Sequence, residues 1–192
     1  SFTDTQIPFI PEFIWVYHTI IPVTVVTCFI LFQKKDLFLS MIYSNITAGI
    51  ILCLFYIFFP SFYPRPEIVD TGGLSSALVE LTRAIDGAHN TFPSGHVTFS
   101  WMLAFYVGLS QKGKQYSMLN YVYFCWAILI SISTLTLKQH YLIDVVSGIA
   151  LAGIIFYIFK NVYLFRPTEK LITIDDKIVS TRSVPKEVPI DC

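Results

Sequence analysis

Three short stretches of the 192-residue chain carry residue types and spacings that could do chemistry: Arg65-Pro66, Pro93-Ser94-Gly95-His96, and Ser133 to Asp144 with His140 inside it. Each adjoins a hydrophobic segment, where polar groups are expensive to bury and mark function more often than folding. His140 and Asp144 stand four apart, so on a helix they share one face, with the carboxylate a turn deeper than the ring. A carboxylate so placed can accept a hydrogen bond from one ring nitrogen, fix the tautomer and leave the other nitrogen free to attack. Ser94 has the character of a helix N-cap, and Gly95 lets another group approach its backbone closely. The free amides and positive dipole end of that helix would receive phosphate oxygens, and His96, in the first turn, could protonate a departing alkoxide. Arg65 adds a fixed cation with a planar fork suited to phosphate. Together these groups describe phosphoryl transfer through a phosphohistidine, with no metal and no other cofactor required.

The elements that must position these residues are membrane helices. Hydrophobic residues make up 54% of the chain, charged residues 14%, and the mean hydropathy is +0.62. That composition points to a polytopic membrane protein. A net charge of zero gives no basic face for a nucleic-acid partner. Five stretches approach the roughly 20 apolar residues a hydrocarbon core requires: Glu12 to Phe32, Leu37 to Phe59, Ser94 to Leu109, Leu119 to Leu137 and Tyr141 to Phe165. The third is the shortest. The expected fold is therefore all-α, a polytopic bundle over residues 1–166 followed by a tail, 167–192. Trp15, Tyr17, Tyr63, Tyr106, Tyr121 and Tyr163 lie near proposed helix ends, where interfacial anchoring is the expected role.

Basic residues set the expected orientation. Lys34 and Lys35, Lys112 and Lys114, and Lys160, Arg166, Lys170, Lys177, Arg182 and Lys186 fall on one side, ten of the thirteen. Arg65, Arg83 and Lys138 fall on the other, which the positive-inside rule makes extracytoplasmic, together with all three motifs. The polar tail is then cytoplasmic. An odd number of spans beginning outside suggests a missing first helix, and the opening Ile7-Pro8-Phe9-Ile10-Pro11 lacks the pattern of a signal peptide. Cys28, Cys53 and Cys125 lie in apolar spans and Cys192 is terminal, so neither a disulfide framework nor a zinc site is expected.

Within the 60–93 connection, Leu74, Leu78, Leu81 and Ile85 recur at spacings of four, three and four, which predicts a short amphipathic helix lying on the membrane surface. His89 reads as a loop histidine near the site and His18 as an interfacial or packing residue. Ser147, Gly148, Ala152 and Gly153 suit close helix packing, and Asn45 and Thr47 suit interhelical hydrogen bonds. Asp86 could orient a loop or receive the acceptor.

Arg65-Pro66, Pro93-Ser94-Gly95-His96 and the Ser133, His140, Asp144 spacing resemble the type 2 phosphatidic acid phosphatase superfamily, which includes lipid phosphate phosphatases and related lipid phosphotransferases. The order and gaps agree across about residues 58 to 144. The resemblance implies a six-helix core, of which five spans are seen here. It also implies His140 as nucleophile, Asp144 as its partner and His96 as general acid, with Arg65, Ser94, Gly95, Ser133 and backbone amides as phosphate ligands. Two positions depart from the family pattern: Phe58 stands where a lysine is usual, seven before Arg65, and Thr134 where an arginine follows the serine. Such looser motifs resemble the branch with inositol phosphotransferases and sphingolipid synthases. Lys138 and Arg83 are candidate substitutes for the missing cations.

The expected activity is cleavage of a lipid phosphate at the extracytoplasmic face, the partners being that lipid substrate and the bilayer. A phosphotransferase in which an alcohol replaces water uses the same residues. A catalytically silent membrane protein that binds lipid or a partner helix is the reading from another class.

Overall fold

The computed structural model describes residue 4 and residues 6–65, 73–111 and 117–161. The expected tail at 167–192, Pro66, Tyr163, Cys192, and every basic residue named above at 112, 114 and beyond 161 lie outside these. Pro11–Phe13 forms a short 3-10 turn, followed by α1 (Ile14–His18), α2 (Ile20–Phe32), α3 (Lys35–Phe58), α4 (Leu74–Asp86), α5 (Gly95–Ser110), α6 (Met118–Thr136) and α7 (Leu142–Phe159). The described residues thus form an all-α membrane helix bundle with one short helix, α4, in the 60–93 connection. Pro11–Phe32, α3, α6 and α7 are long and apolar enough to cross a membrane.

The first expected span is not one uninterrupted helix. It breaks at Thr19, between α1 and α2. Pro22 explains the position: its ring would collide with the carbonyl four residues earlier, which belongs to His18, the last residue of α1.

The third expected span, α5, has only 16 residues and is not among the helices long enough to cross unaided. It lies in the centre, against α2, α3, α6 and α7. Val97, Met102, Ala104, Tyr106 and Val107 are fully buried there. A helix surrounded by protein need not match the hydrocarbon thickness, because its neighbours rather than lipid cover its ends.

Polar pairs bind this centre to its neighbours. The Tyr106 hydroxyl lies 2.8 and 2.6 Å from the Ser40 and Ser44 hydroxyls of α3, and the Trp101 indole donates to Ser131 of α6. Thr27 of α2 meets Tyr123 of α6 at 2.9 Å. Such interhelical bonds average about 0.6 kcal/mol each in membranes. Tyr106 therefore packs inside, not at the interface, and Tyr63 is likewise buried, 4.3 Å from the Tyr141 ring. Trp15 and Tyr121 stay exposed. Asn45 donates within its own helix, to Met41, not across helices as expected.

The small residues of α7 act mainly through Gly148. A Cβ there would stand 2.8 Å from the Ser94 carbonyl oxygen, whereas one at Gly153 would meet open space. Gly148 thus sets how closely α7 approaches the start of α5.

Helix α4 turns Ser76, Val79 and Thr82 toward the bundle and leaves Leu74, Leu81 and Ile85 exposed. Most of its apolar stripe therefore faces outward, as suits contact with a bilayer surface, while Leu78 packs against the bundle.

Candidate active site

The chain leaves α6 through a tight reversal. Lys138 N donates to the Leu135 carbonyl and Gln139 N to the Thr134 carbonyl, at 3.1 and 3.0 Å, while Lys138 adopts a φ of 55°. This is the Schellman pattern, with lysine in the left-handed position that glycine usually fills. The reversal delivers His140 immediately before α7.

His140 Nδ1 lies 2.8 Å from the Thr91 carbonyl oxygen. A carbonyl only accepts, so Nδ1 carries the hydrogen and Nε2 keeps its lone pair. The Asp144 Oδ2 atom stands 3.5 Å from the same Nδ1 and accepts a hydrogen bond from Tyr141 N at 2.9 Å. The tautomer expected from Asp144 is thus fixed first by Thr91, and the carboxylate adds negative charge behind the ring.

His96 sits in the first turn of α5. The Ser94 hydroxyl caps that helix by accepting from Val97 N, and Ser94 N donates to the Asp144 carbonyl. Thr98 donates to the Gly148 carbonyl, and the Tyr56 hydroxyl of α3 donates to the Pro93 carbonyl. These bonds register the α5 start against both α7 and α3. The His96 ring stacks on Tyr17 at 4.1 Å, and its Nδ1 lies 3.1 Å from the Tyr17 hydroxyl. Tyr17 also donates to Asp86 at 3.0 Å. Tyr17, only 3% exposed, belongs to the site and is not an interfacial anchor.

His96, His140, Arg65 and Gly95 line one cavity of about 740 Å³. Its polar end also includes Tyr17, Asp86, His89, Thr91 and Gln139. From there it runs between α2 and α3 past Ile21, Val25, Cys28, Ile42 and Met41, with Phe99 and Leu103 of α5 behind. Along α3 the lining extends from Tyr56 to Met41, about 22 Å at 1.5 Å per residue. The cavity is polar at one end and largely apolar along its length, where Thr24 and Asn45 are the polar residues of the lining.

Arg65 is the one cation among the described residues that lines this cavity. Its Nη1 donates to the Arg83 carbonyl, and its Nε is buried without a hydrogen-bond partner among the described residues, as is the Gln139 amide nitrogen. Burial pulls the Arg65 guanidinium below its usual range, opposed by the charges of Tyr17 and Asp86. Buried donors left unpaired are costly, so an anion arriving here would relieve them.

The other expected residues stand elsewhere. Ser94 and Ser133 are fully buried off the cavity lining, and the Ser133 hydroxyl donates to the Ile130 carbonyl of its own helix. Lys138, expected as a substitute cation, instead turns its ammonium to the carbonyls of Asp4 and Ile7. Arg83 donates to the Leu137 carbonyl and lies over the Phe9 ring, also off the lining. Phe58 points outward, and the Thr134 hydroxyl donates to the Ser131 carbonyl, so neither position supplies a cation. His18 meets the Thr82 hydroxyl at 2.9 Å and takes no part in the cavity.

Sequence reasoning missed Tyr17, Thr91 and Gln139. Gln139 adjoins His140 and could have been suspected, but Thr91 meets His140 across 49 residues and Tyr17 meets His96 across 79, separations that no spacing rule reads.

Over 72 residues the chain is 38% identical to an uncharacterized protein of Methanocaldococcus jannaschii, an alignment that covers 38% of this chain and 28% of that relative. The chain thus spans less than a third of the length of the curated relative it matches. No solved structure matches it. Residues 33–167, more than half of the chain and all three motifs, match the PAP2 superfamily. The chain therefore belongs to the PAP2 superfamily, whose members are phosphatases or phosphotransferases.

Proposed function

We propose that the protein is an integral membrane phosphatase that hydrolyses lipid phosphates through a phosphohistidine at His140. The observation that carries this reading is that His96 and His140 line the same cavity, which away from its polar end is largely apolar and follows α2 and α3 toward the far end of the bundle. A phosphate at the polar end would find two imidazoles, Arg65 and the start of α5, while an acyl or prenyl chain would occupy the apolar run.

In the first step the His140 Nε2 lone pair attacks phosphorus, the ester P–O bond breaks, and His96 gives a proton to the leaving oxygen. The ring acquires positive charge, which the Thr91 carbonyl and the Asp144 carboxylate offset at Nδ1. Water then attacks phosphorus, loses a proton to His96 and breaks the P–N bond, releasing inorganic phosphate. Arg65 and the α5 amides hold the phosphoryl oxygens in both steps. The His, Asp and Arg residues supply every group these steps need without a metal ion.

The charge asymmetry supports placing this end of the bundle on the extracytoplasmic face. Lys34 lies between α2 and α3, Lys35 opens α3, and Lys160 follows α7, at the end opposite Arg65 and His140.

Phosphate release across a panel of lipid phosphates, in detergent with chelator, tests the reading when the protein is compared with its His140→Ala variant. Activity confined to the unaltered protein, with a phosphohistidine trapped on it, is the expected result. Formation of a phosphodiester without free phosphate would reassign it to phosphotransfer. No phosphohistidine with any lipid tried would favour a silent lipid-binding protein.

A further inference from the structure

Asp86, Tyr17 and His96 form a chain that the mechanism above does not use. Tyr17 Oη stands 3.0 Å from Asp86 Oδ2 and 3.1 Å from His96 Nδ1. A phenol has one hydrogen, and a carboxylate can only accept, so that hydrogen goes to Asp86. The phenol oxygen is then left to accept from His96 Nδ1–H. His96 Nε2 is thereby the nitrogen that faces the reaction.

We propose that Tyr17 and Asp86 are positioning residues for His96, holding it as the Nδ1–H tautomer so that Nε2 carries and returns the transferred proton. The claim rests on the reading of His96 as general acid. Three observations support it beyond the distances. The Tyr17 and His96 rings are nearly parallel, at 26°, so the stack fixes the imidazole plane as the hydrogen bond fixes its rotation. Helix α1 is fastened to α4 on both sides of Tyr17, by Trp15 to Ser75 at 3.1 Å and by His18 to Thr82 at 2.9 Å. Asp86 is the last residue of α4, where the helix dipole disfavours a carboxylate, so helix stability does not account for it.

The proton balance follows from this arrangement. As the ester P–O bond breaks, Nε2–H passes to the leaving oxygen, and the ring becomes neutral with Nδ1–H still donated to Tyr17. When water attacks the phosphohistidine, Nε2 takes its proton and the ring is cationic again. In that cationic state the Asp86 carboxylate offsets the charge through the phenol, as an acid behind a catalytic imidazole does directly.

The test compares two phosphate monoesters in the full chain carrying Tyr17→Phe or Asp86→Asn. A simple alkyl phosphate needs its leaving oxygen protonated, whereas p-nitrophenyl phosphate does not. The rate of phosphohistidine formation, the step before His96 serves as base, should fall by about tenfold or more for the alkyl ester in both variants and be largely kept for p-nitrophenyl phosphate. An equal loss on both esters would mean that Tyr17 only fastens α1 to α4, and would overturn the relay. A second readout needs no turnover: ¹⁵N spectra of the histidines, with His96 assigned through His96→Asn. The unaltered protein should show His96 protonated at Nδ1, and Tyr17→Phe should shift it toward Nε2–H. An Nε2–H tautomer in the unaltered protein would overturn the relay whether or not the protein proves to be a phosphatase. Inactivity of the unaltered protein, with the Nδ1–H tautomer present, would instead remove the phosphatase reading alone.

Discussion

The two imidazoles of the cavity are held in opposite ways. His140 is placed by backbone: the reversal after α6 aims it, the Thr91 carbonyl fixes its tautomer, and Asp144 lies one helical turn on. His96 is placed by side chains from distant elements, stacked on Tyr17 of α1 and linked through it to Asp86 of α4. The nucleophile proposed at His140 must keep one lone pair on one trajectory, and backbone groups have little freedom to drift. The proton donor proposed at His96 must cycle between two charge states, and a phenol backed by a carboxylate can answer both.

Substitution should reveal this contrast. His140→Ala is expected to abolish turnover and phosphohistidine formation outright, since it removes the nitrogen proposed to attack phosphorus. His96→Ala should cost about 10² to 10⁴ in rate, with the loss shrinking as the leaving group improves. Rapid quench with a radiolabelled ester reads both; a phosphohistidine surviving in His140→Ala would break the comparison at its base. Arg65→Ala should come next, because hydrogen bonds to a charged group contribute about 1.5–3 kcal/mol. It should appear mainly as a raised KM, and an unchanged KM would remove Arg65 from phosphate binding.

Smaller effects sharpen the distinction. Gly148→Ala would press a Cβ against the Ser94 carbonyl, and overpacking of this kind costs about 1–3 kcal/mol. Thermal unfolding in detergent should show the loss, and the fit between α5 and α7 is not tight if it does not. Lys138→Gly should change turnover by less than about twofold, because its ammonium does not reach the cavity and glycine keeps the left-handed turn before His140. Its left-handed φ suits glycine, and its ammonium is turned away from the cavity. A large rise in KM would restore Lys138 as a phosphate-binding cation.

Much of this arrangement could be read from the chain. Helix positions followed from apolar length, the α4 helix from its leucine spacing, and the Ser94 cap, His96 and the His140–Asp144 pair from short motifs, because each depends on residues within a turn or two. Other expectations failed for a common reason. Tyr17, Tyr63 and Tyr106 resemble interfacial aromatics by position along their segments, and only their burial distinguishes them. Lys138 shares a face with the site in sequence, yet the carbonyls of Asp4 and Ile7 capture its ammonium.

The sequence by itself determined that the protein is a bundle of membrane helices, where those helices lie, and which residues are candidates for phosphoryl chemistry, since hydropathy, capping and four-residue spacing are local properties. Only the tertiary structure decided which groups hold the two imidazoles, which cation reaches the cavity, and that the cavity continues as an apolar passage between α2 and α3. Those contacts join residues 49 to 79 positions apart, and they exist only once packing around α5 has brought the separate helices together.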